Sequence, residues 1–150
     1  MKIDICFITS TPHLASHAAL GHRELSLAHM LLSDKEYAQY YTNTPRYTIM
    51  DNSAFEFEHT GRGVPQDMVL EAARLSKPDE ICAIDVLFNG SDTISAVKDF
   101  LSFVKKQDNQ LFDTTKFMAI PQGKTADEWL DCYEQLVVME EVDVIGLSKL

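Results

Sequence analysis

Residues 47–53 read Tyr-Thr-Ile-Met-Asp-Asn-Ser, a short apolar run that ends in a carboxylate and two more polar residues. Residues 80–85, Glu-Ile-Cys-Ala-Ile-Asp, repeat this pattern. Runs that are apolar on both faces are typical of parallel strands buried between other elements. Tyr47–Asp51 and Glu80–Asp85 are therefore predicted strands, and each has an aspartate at its carboxyl end.

The same pattern extends outward in both directions from these two segments. Further predicted strands are Ile3–Thr9, Lys116–Ile120 and Val142–Leu147. Amphipathic runs lie between the strands. One has apolar residues at helical spacing over residues 94–104, and another follows the capping box formed by Thr125 and Glu128. A weaker helix is predicted over Glu24–Leu32. Regular alternation of strand and helix predicts a parallel α/β sheet with right-handed crossovers.

Two α/β architectures are compatible with this alternation of strands and helices. A doubly wound nucleotide fold usually has a glycine-rich turn after its first strand, whereas residues 9–13 read Thr-Ser-Thr-Pro-His. A (β/α) barrel spreads its polar residues over the carboxyl ends of many strands, as this sequence does. We therefore predict a single partial TIM-barrel domain over residues 1–150, with about five of the eight βα units. The chain is expected to be the amino-terminal half of a barrel, or to close by pairing with another copy or another protein.

Composition restricts the classes of function. The 13 basic and 23 acidic residues give a net charge of −10, which argues against this segment gripping a phosphate backbone by itself. The three cysteines are scattered, which predicts reduced thiols and no zinc site within the chain. No apolar run is long enough for a membrane span and no signal peptide is evident, so we predict a cytoplasmic protein.

Asp51 and Asp85 are the main candidates for chemistry. At the same edge of a sheet, two carboxylates can accept N–H donors from a guanine-like edge or move a proton, although either aspartate alone could simply cap a turn. Gln122 offers an amide donor and an acceptor, or is a surface loop residue. Phe55 could stack on a flat base or pack in the core. His13 and the other histidines lack a metal-ligand spacing and are predicted to be solvated or packed.

Several segments, taken in order, resemble the tRNA-guanine transglycosylase superfamily of the queuine and archaeosine type. Residues 50–56, Met-Asp-Asn-Ser-Ala-Phe-Glu, resemble its Asp-Ser-Gly-Gly-Phe-Gln segment. Residues 118–123 resemble its Val-Gln-Gly-Gly segment, and residues 145–147 its Ile-Gly-Gly-Leu run. Residues 83–85 fall where the family has a base-reading Phe-Asp. The departures from the paired glycines resemble the divergent, phage-associated branch that handles 7-deazaguanines in DNA.

The resemblance implies exchange of guanine for a 7-deazaguanine through a covalent sugar–enzyme intermediate. Asp51 would then be the acid/base that also touches the base, and Asp85 would read its N1 and N2 edge. Gln122 and the backbone of Gly146 would bind the carbonyl side. Four further residues of the matching motifs complete the predicted substrate site: Ser53, Phe55, Gly123 and Leu147.

Three hypotheses about function follow. The first is a pentosyltransferase whose nucleophilic aspartate and structural zinc ligands, by resemblance, lie beyond Leu150, so that no cofactor is expected within this chain. The second is a non-catalytic module that binds a deazapurine or small metabolite and works with a partner or as a homo-oligomer. The third is an unrelated barrel enzyme. The first predicts tRNA or DNA as a partner through other regions, in a bacterial or phage-infected cell.

Overall fold

A computed structural model describes residues 5–17, 20–58 and 60–148 of the chain. Its centre is one sheet of six strands, and each strand is parallel to its neighbours. The strands lie in the sheet in the same order as in the chain. They are β1 (Cys6–Ile8), β2 (Arg23–Leu27), β3 (Tyr47–Asp51), β4 (Glu80–Cys82), β5 (Lys116–Ala119) and β6 (Val144–Ile145). The prediction of an α/β fold with a parallel sheet is confirmed.

Eight α-helices connect the strands within the described ranges. They are α1 (Leu14–His17), α2 (Ala28–Ser33), α3 (Lys35–Asn43), α4 (Ala54–Glu58), α5 (Gln66–Ser76), α6 (Gly90–Gln107), α7 (Asn109–Thr114) and α8 (Ala126–Leu136). A short 3₁₀ turn, Thr11–His13, precedes α1. The larger helices contact one another in sequence, α2 with α3 and α5, α5 with α6, and α6 with α8. Parallel strands in sequential order with crossovers of one hand place their helices on the same face of the sheet.

The two faces of the sheet differ for this reason. Met50, Ile81 and Phe117 share one level of the sheet and are at most 1% exposed, because they belong to the core beneath the helices. The opposite, open face carries the alternate residues of the same strands, among them Ile49 and Met118. The strand order contains no reversal among the described strands, which distinguishes this sheet from a doubly wound one.

The predicted helix over Glu24–Leu32 is wrong in its first half, where the structure has strand β2. This strand pairs with β1 on one side and with β3 on the other. Its polar residues Glu24 and Ser26 point toward the helices and are buried. Glu24 accepts hydrogen bonds there from the hydroxyls of Tyr40 (2.6 Å) and Thr44 (3.2 Å). Because these buried residues are polar, the segment lacks the apolar pattern that predicts a buried strand. The sheet therefore has six strands where five were predicted.

The boundaries of the other strands differ more modestly from the predictions. β3 has the predicted bounds, whereas β4 ends at Cys82, three residues before Asp85. β1 and β6 are shorter than predicted. Ile3 and Asp4, from the predicted first strand, lie outside the described residues. Within the described part of the chain, no helix combines the length and apolar character needed to cross a membrane.

Candidate functional site

A cavity of about 360 Å³ lies at the carboxyl ends of the strands, on the open face of the sheet. Its floor is formed by side chains of the strands and of the loop after β5, which are Leu25, Ile49, Cys82, Met118 and Ile120. Its polar wall comes from the end of β3 and from the loops that follow the strands, and consists of Asp51, Asn52, Asp85, Gln122 and Ser148. Among the described residues, no lysine or arginine lines this cavity. An apolar floor with a few polar groups is typical of a small-molecule site.

The structure brings six of the eight predicted site residues to this cavity: Asp51, Phe55, Asp85, Gln122, Gly146 and Leu147. Phe55 belongs to α4 and stands at the rim, where it is 66% exposed. The loops that carry these residues follow β3, β4, β5 and β6, so parallel strands of sequential order assemble the site from four distant segments. The predicted convergence of Asp51 and Asp85 on a single cavity is therefore present.

Asp85 is buried and held by two amide side chains. Its Oδ1 accepts a hydrogen bond from Asn52 Nδ2 (2.8 Å), and its Oδ2 accepts one from Gln122 Nε2 (2.5 Å). Burial raises the pKa of Asp85 above its ordinary value, while the two amide donors act in the opposite direction. Each carboxylate oxygen has two acceptor sites, so a ligand can still donate to Asp85.

Asp51 has a carboxyl group whose pKa lies close to neutral pH. The pKa of its carboxyl is raised to about 6, mainly by burial, and the neighbouring charges of Asp85 and Glu56 act in the same direction. The backbone N–H of Ser53, which donates to Asp51 Oδ1 over 2.7 Å, lowers it, and a positive charge on His29 would act in the same direction. A carboxyl group with such a pKa can both release and accept a proton near neutral pH, which general acid/base catalysis requires.

Asn52 organises the wall between the two aspartates, a role that sequence reasoning missed. Its Nδ2 donates to the carbonyl of Ala83 (2.7 Å) as well as to Asp85, and its Oδ1 accepts from the backbone N–H of Ala54 (2.7 Å). The side chain is 1% exposed. The available signal was a polar residue directly after a predicted strand-end aspartate, but the acceptors of its Nδ2, Ala83 and Asp85, lie more than 30 residues away along the chain.

Gln122 and Gly146 occupy the side of the cavity opposite Asp51. Gln122 Oε1 accepts a long hydrogen bond from the backbone N–H of Phe88 (3.4 Å). Its amide nitrogen carries a second N–H besides the one directed at Asp85. The backbone N–H of Gly146 donates to the carbonyl of Ala119 (2.9 Å) and so belongs to the sheet. The amide of Gln122 is thus the better placed donor for a ligand carbonyl.

Two predicted site residues, Ser53 and Gly123, support the cavity without lining it. Ser53 is fully buried and its hydroxyl is directed at His29. Gly123 is packed against the start of α8, where a Cβ atom would lie 2.5 Å from the backbone nitrogen of Trp129. The glycine is required by this close approach of the loop to the helix.

Of the other groups considered from the sequence, His13 lies away from the cavity, whereas Cys82 lines it. His13 is exposed, and its ring contacts that of His17 at a centroid distance of 5.9 Å. In the described ranges, no group of three or more His, Cys, Asp or Glu side chains is arranged to hold a metal ion. Cys82 lies on the cavity floor, where burial raises the pKa of its thiol and the charges of Asp51 and Asp85 add to this effect.

Comparison with known proteins adds no assignment. No protein-family model matches the chain, and no curated protein is significantly similar to it. The resemblance of the strand-end motifs to the transglycosylase superfamily therefore stays a prediction.

Proposed function

We propose that this chain forms the base-binding part of a transglycosylase-like protein, which holds guanine or a 7-deazaguanine at the carboxyl edge of a partial (β/α) barrel. One observation carries the proposal: Asp51, Asp85 and Gln122 converge on a cavity that has an apolar floor and no cation among its described lining residues. Such a wall is rich in acceptors, and it suits a neutral ligand that presents several N–H groups beside a carbonyl.

The partial barrel is supported by the sheet. Sequential strand order, one layer of helices and an apolar open face are features of a sheet that curves around its open face. At the amino-terminal end of that face, Tyr47 donates to Glu80, and the Arg23 guanidinium lies 4.6 Å from the Tyr47 ring centroid. This polar cluster would form the bottom layer of a barrel, and the candidate site would lie at its top.

Each side of a guanine ring has a matching group in the proposed site. Asp85 would accept hydrogen bonds from the N1 and N2 edge, and the free N–H of Gln122 would donate to the carbonyl oxygen. Ile49, Cys82 and Met118 would contact one ring face, while Phe55 at the rim would contact the other. Discrimination is expected because a site built on polar partners rejects ligands that leave those partners unpaired.

Base exchange would also need a proton carrier and a nucleophile. Asp51 is suited to protonate a departing base or to deprotonate an incoming one, since burial raises its pKa to about 6. The resemblance places the nucleophilic aspartate and the zinc ligands beyond Leu150. We therefore expect residues 1–150 to bind a base without turning over a nucleic acid. With a net charge of −10, contact with tRNA or DNA would depend on other regions or a partner.

A non-catalytic binding module is the second candidate function. The observation that favours it is that the thiol and the hydroxyl at the cavity are not activated for nucleophilic attack. The Cys82 thiol is held neutral by burial, and the Ser148 hydroxyl donates to the carbonyl of Pro121 (2.7 Å). Neither group is activated as a nucleophile. Such a module would use the same wall, so base binding is common to both functions.

Calorimetric titration of the purified chain with guanine and a panel of 7-deazaguanines tests the proposal. Asp85→Asn keeps the shape of the side chain but removes its charge. We expect it to weaken binding by about 1–3 kcal/mol, or roughly 5- to 150-fold. Asp131→Asn, on the exposed face of α8, is the matched control and should bind like the unaltered chain. Absence of binding by the folded chain would support an unrelated barrel enzyme and overturn the proposal.

A further inference from the structure

The turn that follows β3 contains an unusual backbone conformation. Ser53 has a φ of 68°, in the left-handed region that residues with a Cβ atom rarely adopt. It is fully buried, and its backbone N–H donates to Asp51 Oδ1 over 2.7 Å. The conformation of Ser53 therefore decides where this N–H points, and hence how the Asp51 carboxylate is held at the cavity.

His29, at the start of α2, contacts the Ser53 hydroxyl through two of its atoms. The backbone N–H of His29 donates to Ser53 Oγ (3.2 Å), and the imidazole Nδ1 lies 2.9 Å from the same oxygen. Strands β2 and β3 are paired so that Leu27 lies opposite Asp51, which brings the start of α2 beside the turn. Residues 24 positions apart in the chain are thereby joined at the back of the site.

The two contacts fix the direction of the hydrogen bond between the side chains. Ser53 Oγ already accepts the backbone N–H of His29, and its own proton needs an acceptor because the hydroxyl is buried. Among the residues that the structure describes, Nδ1 of His29 is the acceptor within hydrogen-bond distance. The hydroxyl therefore donates to Nδ1, which requires a neutral imidazole that carries its proton on Nε2.

We propose that His29 is a positioning residue for Asp51: its neutral ring anchors the Ser53 hydroxyl, and Ser53 in turn holds its N–H against the Asp51 carboxylate. The importance of Asp51 for chemistry rests on the proposed function, but the anchoring of its carboxylate does not. A ring protonated on Nδ1 would donate to Ser53 Oγ and leave the buried hydroxyl proton without a described acceptor.

Charged and titratable groups of several elements lie near Asp51. Asp85 and the Cys82 thiol belong to β4 and the segment after it, and Glu56 belongs to α4. His29 belongs to α2 and Tyr37 to α3. The Ser53 N–H lowers the pKa of the Asp51 carboxyl, and so does a positive charge on His29. The hydrogen-bond role of His29 must therefore be separated from its charge.

The first measurement uses the unaltered chain. Nitrogen-15 chemical shifts of the His29 ring at pH 8, where imidazoles are ordinarily neutral, report which nitrogen carries the proton. We expect a protonated Nε2 and an unprotonated Nδ1. A ring with its proton on Nδ1 would overturn the proposal, because Ser53 could not then donate to it. This experiment needs no variant and no ligand.

The second measurement follows the Asp51 carboxyl carbon by NMR during a pH titration. His29→Leu removes the acceptor, and we expect the pKa of Asp51 to rise by roughly 0.5–1 unit as the Ser53 N–H bond loosens. His29→Asn places an amide oxygen near the position of Nδ1, so it should restore the pKa to within about 0.3 units of the unaltered chain. An unchanged pKa in folded His29→Leu would contradict the anchoring role.

Ser53→Gly completes the design, because glycine adopts a φ of 68° without steric cost and has no hydroxyl to anchor. In this background His29→Leu should shift the Asp51 pKa by less than a third of its effect in the unaltered chain. An equal shift in both backgrounds would mean that His29 acts through its charge alone and would overturn the proposal. The readout is the pKa of Asp51 and not base binding, so the result tests the role of His29 even if the chain binds no base.

Discussion

The two faces of the sheet use neighbouring residues of the same strands for different purposes. On β3, Met50 points toward the helices and is fully buried, whereas Asp51 is directed at the cavity and has a pKa of about 6. Phe117 and Met118 divide in the same way on β5. The helix-covered face is therefore expected to supply stability, and the open face is expected to supply binding at some cost in stability.

The largest expected effect is on the helix-covered face. Phe117 is 1% exposed and its ring contacts Phe100 and Phe112 at centroid distances of 6.4 and 5.2 Å. Phe117→Ala should lower the free energy of unfolding by about 3–5 kcal/mol, because it leaves a cavity in the core. Urea denaturation measures this, with Phe117→Leu as a milder control. A loss below about 1 kcal/mol would mean that this face does not carry the core.

Asn52→Ala should have the next largest effect. The substitution leaves Asp85, the carbonyl of Ala83 and the N–H of Ala54 without their amide partner, and the expected loss of stability is about 2–3 kcal/mol. Asn43→Ala, at the exposed end of α3, is the matched control and should change stability by less than about 0.5 kcal/mol. Equal effects of the two substitutions would mean that the hydrogen bonds of Asn52 do not stabilise the cavity wall.

The pH dependence of stability tests Asp51. Its pKa is raised from 3.8 to about 6 on folding, so the folded state binds the proton more tightly than the unfolded chain. Its contribution to stability is therefore greatest at low pH and is lost as pH rises from about 4 to about 6. Asp51→Asn should remove this loss and gain on the order of 2 kcal/mol relative to the unaltered chain at pH 7. Parallel pH–stability curves for the two proteins would contradict the raised pKa.

Phe55→Ala should have the smallest effect on folding. The ring is 66% exposed at the cavity rim, so unfolding should change by less than about 0.5 kcal/mol. Base affinity should fall by about 0.5–1.5 kcal/mol through the loss of ring contact. Phe88→Ala, whose side chain is 51% exposed but does not line the cavity, is the control for affinity. Equal losses in both variants would argue against stacking by Phe55.

Much of the sheet was predictable from sequence because burial on both faces leaves continuous apolar runs. β3 was predicted with its observed bounds, and Asp51 and Asp85 were predicted to converge because parallel strands end at one edge. Gln122 was assigned to the same site by motif resemblance. β2 was not predicted, since its alternate residues Glu24 and Ser26 are polar and yet buried. Polar residues inside a fold depend on distant partners, which a local pattern does not reveal.

The supporting residues of the site were missed for a similar reason. His29 is 24 residues from Ser53, and Asn52 is 33 residues from Asp85. Motif resemblance assigned Ser53 and Gly123 to the substrate, whereas their buried positions make them parts of the frame that holds the loops. Sequence order identified the loops that form the site, but three-dimensional packing determined which of their residues line it.

A comparison of guanine with hypoxanthine tests the central claim most directly. Hypoxanthine lacks the 2-amino group, so it cannot make one of the hydrogen bonds proposed for Asp85. Calorimetry should show guanine binding more tightly by about 1–2 kcal/mol in the unaltered chain, with the difference largely lost in Asp85→Asn. Equal affinity for the two bases, or a preference that survives Asp85→Asn, would contradict a cavity that reads a guanine edge through this carboxylate.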